Sequence, residues 1–247
     1  MSEERVRERS EVEPGQIVMP FYLVCDVSYS MYGDMPTLND SVQRLRRAIV
    51  GEPIVDDVAQ ICIISFSDSA KVMMPLGQMS EQAVPALSVE GGTNYGEAFR
   101  LLAQTITADT ATLKSQGYKV YRPCAFFLSD GEPLDHDWHQ TFTGTLTYDR
   151  ASGHGMKGHP IFVPFGFRDA PEAVLRQLAY PPEKGKWYKA RTATVEQALN
   201  GIIDIIMKTV ITSSMTVPGG KPAVVQQQPA PGSGIVQGDS EYDPDWA

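Results

Sequence analysis

Cysteine is scarce in this chain, with three in 247 residues. An odd and small number builds no disulfide framework. Cys25, Cys62 and Cys124 each sit in or beside an apolar run, as small buried hydrophobes of a reducing compartment do. Clustered cations are scarce as well. The formal net charge is -9 and Lys and Arg are scattered, which speaks against nucleic acid as the main partner, because phosphate binding rests on grouped basic residues. No apolar run approaches the length needed to cross a bilayer. The charged stretch from Ser2 to Arg9 has none of the apolar core of a signal peptide. A cytoplasmic protein without a membrane partner is the expectation. What the chain does hold is 42% hydrophobic residues, enough for a core that needs neither disulfides nor zinc.

Apolar runs and helical patterns alternate. Ile17 to Cys25 reads as a strand, and Leu38, Val42, Leu45 and Ile49 share one face of a helix that Pro36 opens and that Gly51 and Pro53 stop. Ala59 to Phe66 is a buried strand, and Lys71 to Leu76 is its antiparallel hairpin partner at the sheet edge. A helix follows from Tyr95 to about Ser115, with Asn94 and Glu97 spaced as a capping box. Tyr121 to Ser129 is another buried strand, Asp135 to about Ala151 a helical stretch, and Pro160 to Gly166 a strand. Pro171 to Ala179 reads as a short helix, Trp187 to Ala190 as a last strand and Val195 to Ile211 as a closing helix. This alternation predicts an α/β fold, Rossmann-like and doubly wound, whose central sheet is mostly parallel with one antiparallel edge strand. Three regions follow: a flexible lead-in over 1–16, one domain over 17–213, and a disordered tail over 214–247. That tail is rich in Pro, Gly and Gln and ends in acids and aromatics.

In such sheets ligands bind at the carboxyl ends of the strands. The first strand ends in Asp26-Val27-Ser28-Tyr29-Ser30. Beyond a strand end, residues two apart fall on one side, so Asp26, Ser28 and Ser30 converge as hard oxygen donors. Oxygen ligands with few carboxylates suit Mg²⁺. Two further segments repeat the rule. Gly91-Gly92-Thr93 leads into a helix, and Ser129-Asp130-Gly131 ends a strand. One sheet edge then gathers Asp26, Ser28, Ser30, Thr93 and Asp130. Other signals carry less. Gly153-His154-Gly155-Met156-Lys157-Gly158 matches a dinucleotide pattern by letters only, since a strand follows the glycines where a helix is required. His136, His139, His154 and His159 lack the acids or cysteines that would complete a zinc site and read as exposed side chains. A calcium loop starting at Asp26 would need Gly and Glu where Met31 and Thr37 stand.

The three segments together resemble the von Willebrand factor A domain and its metal-ion-dependent adhesion site, over about residues 17–213. All five positions hold the expected residue types, while Tyr29 stands where a small residue is common. The resemblance implies that Ser28 and Ser30 bind Mg²⁺ or Mn²⁺ directly and Thr93 directly or through water. Asp26 and Asp130 are then expected to act through water and hydrogen bonds. Among relatives, stand-alone bacterial A domains linked to tellurium resistance are the nearest in kind, and these accompany protein kinases and metal-dependent phosphatases.

Neutral hydroxyls leave the ion's charge poorly compensated, so a carboxylate from another protein can complete its shell. The expected function is therefore non-enzymatic. A bacterial, cytoplasmic binding module captures an Asp or Glu of a partner, a kinase or phosphatase among the candidates, in a stress-resistance or signalling system. Its binding face is expected around Tyr29, Met31, Tyr32, Asn94 and Tyr95. The alternative is a Mg²⁺-dependent phosphohydrolase of haloacid-dehalogenase type with Asp26 as nucleophile. It would want an acid where Ser28 stands and a Lys in the motif loops. The C-terminal peptide from Glu241 to Ala247 has two readings, a disordered end with incidental aromatics or a ligand. As a ligand it would dock on a partner, on another copy's metal site, which gives self-association, or on its own, through Asp243 or Asp245 beside Trp246.

Overall fold

The computed structural model describes residues 15–192 and 194–246. The expected lead-in over residues 1–16 lies almost wholly outside the described residues. The first strand, β1 (Ile17–Asp26), is buried on both faces, and its side chains divide by parity. Met19, Phe21, Leu23 and Cys25 enter one apolar cluster, and Tyr22 and Val24 enter another. β5 (Cys124–Ser129) divides in the same way, with Phe126 and Leu128 on the first side and Ala125 and Phe127 on the second. A strand buried on both faces must be apolar throughout, and this accounts for the near-continuous hydrophobic runs.

β1 lies between β2 (Ala59–Phe66) and β5, parallel to both. β3 (Ala70–Gly77) runs antiparallel on the outer side of β2. The two-residue β4 (Lys119–Val120) pairs with the start of β1. Beyond β5 come β6 (Ile161–Gly166), β7 (Lys186–Ala190) and an eighth strand, β8 (Ile235–Asp239), giving the order β3-β2-β1-β5-β6-β7-β8. One face of the sheet is covered by α1 (Met35–Val50), α2 (Pro53–Val58) and α6 (Val195–Ser214). The other is covered by α3 (Tyr95–Ser115), α4 (Trp138–Leu146) and α5 (Glu172–Leu178). Under α3 the core is aromatic. Phe127 packs against Phe66 at 4.9 Å and edge-on to Tyr95 at 4.8 Å, and Phe99 meets Phe142 at 5.2 Å. The mixed, mostly parallel, doubly wound architecture is the one expected. Pro53 does not merely stop a helix but opens α2 at its first position, where its missing N–H is not needed.

The tail is a correction. Residues 214–247 read as disordered, yet β8 within them pairs antiparallel with β7 from Lys186↔Asp239 to Ala190↔Ile235, so the sheet has a second antiparallel edge strand. The approach to β8 crosses α6 with its backbone satisfied by buried hydroxyls. Val225 N donates to Ser213 Oγ (2.9 Å), Gln227 N to Thr209 Oγ1 (3.2 Å), and Tyr188 Oη to the Gln227 carbonyl (2.8 Å). Beyond β8, Gln177 clasps the chain from both sides, donating to the Glu241 carbonyl (2.7 Å) and accepting from Asp243 N (2.8 Å). Tyr242 packs on Tyr180 at 5.1 Å and Trp246 on Trp138 at 5.5 Å. Main-chain pairing to an open sheet edge and two aromatic anchors do what composition alone denied. Two histidines also differ from expectation. His139 lies buried under Trp246, and His159 is buried against Tyr180 while Arg122 donates to its Nε2 and carbonyl (2.9 and 2.8 Å). Burial lowers the pKa of both.

Candidate functional site

Asp26 closes β1 and Ser129 closes β5, and because the two strands are neighbours their carboxyl ends deliver Asp26 and Asp130 to one place. Asp26 is 1% exposed. It accepts from Ser28 N through Oδ1 (2.9 Å) and from Ser129 Oγ through Oδ2 (2.7 Å). Past Asp26 the chain enters a 3-10 turn over Tyr29–Met31, which brings the Ser28 and Ser30 hydroxyls to 3.0 Å of each other. Ser30 Oγ in turn donates to Asp130 Oδ1 at 2.8 Å. The structure thus joins Asp26, Ser28, Ser30 and Asp130 in one hydrogen-bonded chain.

Thr93 is held close by. Tyr29 N donates to the Gly91 carbonyl (3.1 Å), Glu90 N to the Val27 carbonyl (2.7 Å), and Leu134 N to the Thr93 carbonyl (2.9 Å). The loop of Thr93 is therefore stitched to both of the others, although its hydroxyl bonds none of the four residues above among the described hydrogen bonds. Gly91 has φ +42, and a Cβ there would run into the Asp68 carboxylate, whose Oδ1 accepts from Gly92 N at 2.8 Å. Asn94 caps α3 by accepting from Glu97 N (3.1 Å), and Asp135 takes Tyr95 N and Gly96 N (2.9 and 2.8 Å). Asp135 thereby fastens the start of α3 to the segment after Asp130. The Glu97 side chain does not complete the box but pairs with Arg100.

Burial raises the pKa of Asp26 from 3.8 to about 6; its hydrogen bonds oppose the rise and the charge of Asp130 adds to it. Among the described residues no basic side chain forms an ion pair with Asp26, so its ionised form is poorly compensated. A divalent cation would compensate that charge. The donors are hard oxygens, two of them on carboxylates and three on hydroxyls, which fits Mg²⁺ or Mn²⁺. No group of three or more His, Cys, Asp or Glu is placed to hold a metal ion among the described residues. A metal ion here would depend on the hydroxyls as well as the carboxylates.

Residues 21–132 match the sequence model of the von Willebrand factor type A domain. The chain carries a von Willebrand factor type A fold. Solved structures agree with this. The PilB minor pilin of Streptococcus sanguinis, solved as its D319A mutant, has a TM-score of 0.56 at 15% identity over 87% of this chain and 66% of its own. The pilus adhesin SpaC from Lactobacillus rhamnosus GG gives 0.55 at 15% identity over 81% of this chain and 31% of its own. A von Willebrand factor type A protein from Catenulispora acidiphila gives 0.50 at 15% identity over 79% and 43%. The chain thus spans 31% to 66% of the length of these neighbours. At such identity they speak for the A-type fold alone. No curated protein matches the sequence.

On this A-type domain the expected binding face needs revision. Tyr29 and Tyr32 are 73% and 79% exposed, but Met31 and Tyr95 are buried. Met31 packs in the core under the 3-10 turn, and the Tyr95 hydroxyl donates to the Gly131 carbonyl (3.0 Å), bracing the Asp130 loop from below. Leu134, 69% exposed beside Gly92, was not anticipated. Three of the six large apolar side chains exposed among the described residues therefore ring one site. The sequence reading also missed Arg168, which donates to Asp130 Oδ2 (2.9 Å) and to the Ser30 carbonyl (2.7 Å) and pairs with Asp34. It stands two residues beyond β6, the strand next to β5.

Proposed function

We propose that this domain binds a protein partner through a Mg²⁺ or Mn²⁺ ion held at the carboxyl ends of β1 and β5. Ser28, Ser30 and Thr93 hold the ion, with Asp26 and Asp130 behind them, and an Asp or Glu of the partner completes its shell. The observation that supports this reading is the buried Asp26 carboxylate, held beside Ser28, Ser30 and Asp130 with no basic side chain paired to it among the described residues. The ion supplies an electrophilic centre. The chain's own residues fix its place, keep it under-neutralised, and surround it with Tyr29, Tyr32 and Leu134 as apolar contact area.

The same reading makes the protein a non-enzymatic module, with a cytoplasmic kinase or phosphatase of a stress-resistance system as the partner its resemblance suggests. The phosphohydrolase alternative gains no support: the general acid it needs two residues after Asp26 is Ser28, and the sequence match is to a different family. The test is capture of a partner on the immobilised full chain with Mg²⁺ and with chelator. Capture that depends on Mg²⁺ and is lost in Ser28→Ala supports the reading, and capture indifferent to both removes it.

A further inference from the structure

The segment after β6 is laced to the loop that carries Asp130. Phe167 N donates to the Ser129 carbonyl (3.3 Å) and Asp169 N to the Asp130 carbonyl (3.0 Å). Between them Arg168 has φ +49, the one positive value at a non-glycine residue among the described residues. That conformation is unfavourable for a side-chain-bearing residue, so something must hold it. Lys189, from β7, does so by donating through Nζ to the carbonyls of Arg168 and Ala170, both at 2.6 Å. The left-handed backbone then turns the guanidinium back across the site. One terminal nitrogen spends both N–H groups on the Ser30 carbonyl and Asp130 Oδ2, and the other pairs with Asp34. Arg168 is thereby fixed as a permanent positive charge beside the proposed ion. Its Nε and one further N–H have no protein partner among the described residues.

Arg168 also lines a cavity of about 300 Å³ between the ends of β6 and β7 and the start of α6, together with Lys189, Arg191, Thr192 and Thr194. Three basic residues line it, in a chain whose net charge is -9. Arg191 is anchored by Glu172 yet has a side chain 60% exposed.

We propose that Arg168, with the basic pocket behind it, is the receptor for a second carboxylate of the partner. The partner's binding segment then carries two acidic side chains, one for the divalent ion and one for the Nε edge of Arg168 and the Lys189–Arg191 pocket. This rests on the metal-dependent reading above and adds the partner's chemistry to it. A rigid guanidinium fork suits a carboxylate bidentately. A fixed cation has opposite effects on the site's two ligands: it repels the metal ion and attracts the acidic segment. Removing it should therefore tighten one and weaken the other, which loss of a merely structural residue would not do.

The experiment uses the full chain, Mn²⁺ calorimetry, and two Ser/Gly decapeptides that carry one or two glutamates, titrated onto Mn²⁺-loaded protein. In the unsubstituted protein the second glutamate should tighten binding roughly tenfold, the size of one charge-assisted hydrogen-bonded pair. Arg168→Gln should abolish that advantage while Mn²⁺ binds as tightly as before or more so. Arg191→Gln, remote from the metal residues, should reduce the advantage and leave Mn²⁺ affinity unchanged. It decides the matter if Arg168→Gln fails to fold by circular dichroism. The proposal is overturned if the second glutamate brings no advantage, or if the advantage survives both substitutions. Loss of Mn²⁺ binding in the unsubstituted protein is a separate result that removes the metal-dependent reading and this one with it.

Discussion

Asp26→Asn should stabilise the protein when divalent ions are removed. The carboxylate is 1% exposed and shares its surroundings with Asp130, and burial lifts its pKa from 3.8 to about 6. A proton therefore binds more tightly in the folded than in the unfolded chain. Above pH 6 the ionised group opposes folding, and the cost is relieved as pH falls from about 6 toward 3.8. The displacement sets a ceiling of about 3 kcal/mol, at about 1.4 kcal/mol per pH unit. Asparagine keeps the geometry: its oxygen can still accept from Ser28 N, and its amide can donate to Ser129 Oγ, which then turns its own hydrogen away. A net gain of about 1–3 kcal/mol is expected at pH 7.5, read as a melting temperature higher by roughly 2–4 °C per kcal/mol for a chain of this size. The wild-type protein in chelator should also melt higher at pH 5 than its asparagine variant's pH response would suggest, because only the wild type gains a relieved charge. Added Mg²⁺ should raise the wild type and leave the variant nearly unmoved. A variant less stable than wild type in chelator at pH 7.5 would show that Asp26 is already compensated and would refute the electrostatic reasoning.

Other outcomes follow from the same contacts. Phe99→Ala opens the aromatic core between Phe127, Phe142 and Phe162 and should cost about 3–5 kcal/mol in denaturant unfolding. Trp246→Ala removes the anchor on Trp138 and His139 and should raise amide exchange over residues 240–246 by an amount equivalent to about 1–2 kcal/mol, with global stability changed less. His139 titrates below its ordinary value of 6.5 because it is buried, with Asp243 opposing the shift, so docking of the tail should be complete above pH 6.5 and weaken as pH falls below it. The same exchange measurement at pH 7.5 and 5.5 reads this, and a His139→Phe variant should lose the dependence. Tyr32→Ala should weaken partner capture severalfold without changing Mg²⁺ affinity, because its ring is 79% exposed and makes no hydrogen bond to the proposed metal-binding residues among the described hydrogen bonds.

The fold was legible because its strands are buried on both sides and so stand out as unbroken apolar runs, Phe21–Cys25 and Cys124–Leu128 above all. The site residues were legible because Asp26 and Ser129-Asp130 interrupt such runs abruptly, and strand ends in a parallel sheet must share an edge. The tail was not. β8, Ile-Val-Gln-Gly-Asp, has too few apolar residues to announce a strand, and what fixes it is the free edge of β7, which no local pattern encodes. Trp246 and Tyr242 were recognisable as anchors, but their seat on Trp138, His139 and Tyr180 joins residues about a hundred positions apart or 62 apart, and only the folded sheet brings these together. That seat is on α4 and the residues just after α5, and neither Asp243 nor Asp245 approaches Asp26 or Asp130 through any described contact; Asp243 instead accepts from Asp245 N at 2.9 Å. Arg168 escaped notice because its side chain reaches the site only through a left-handed backbone turn that a charged residue gives no reason to expect.

Calorimetric titration of Mg²⁺ or Mn²⁺ into the chelator-treated full chain, beside Ser28→Ala, tests the central claim most directly. The account predicts one saturable site per chain, weakened at least tenfold by loss of the Ser28 hydroxyl, with the fold intact by circular dichroism. No saturable binding to the unsubstituted protein, or equal affinity in the Ser28→Ala variant, would contradict it.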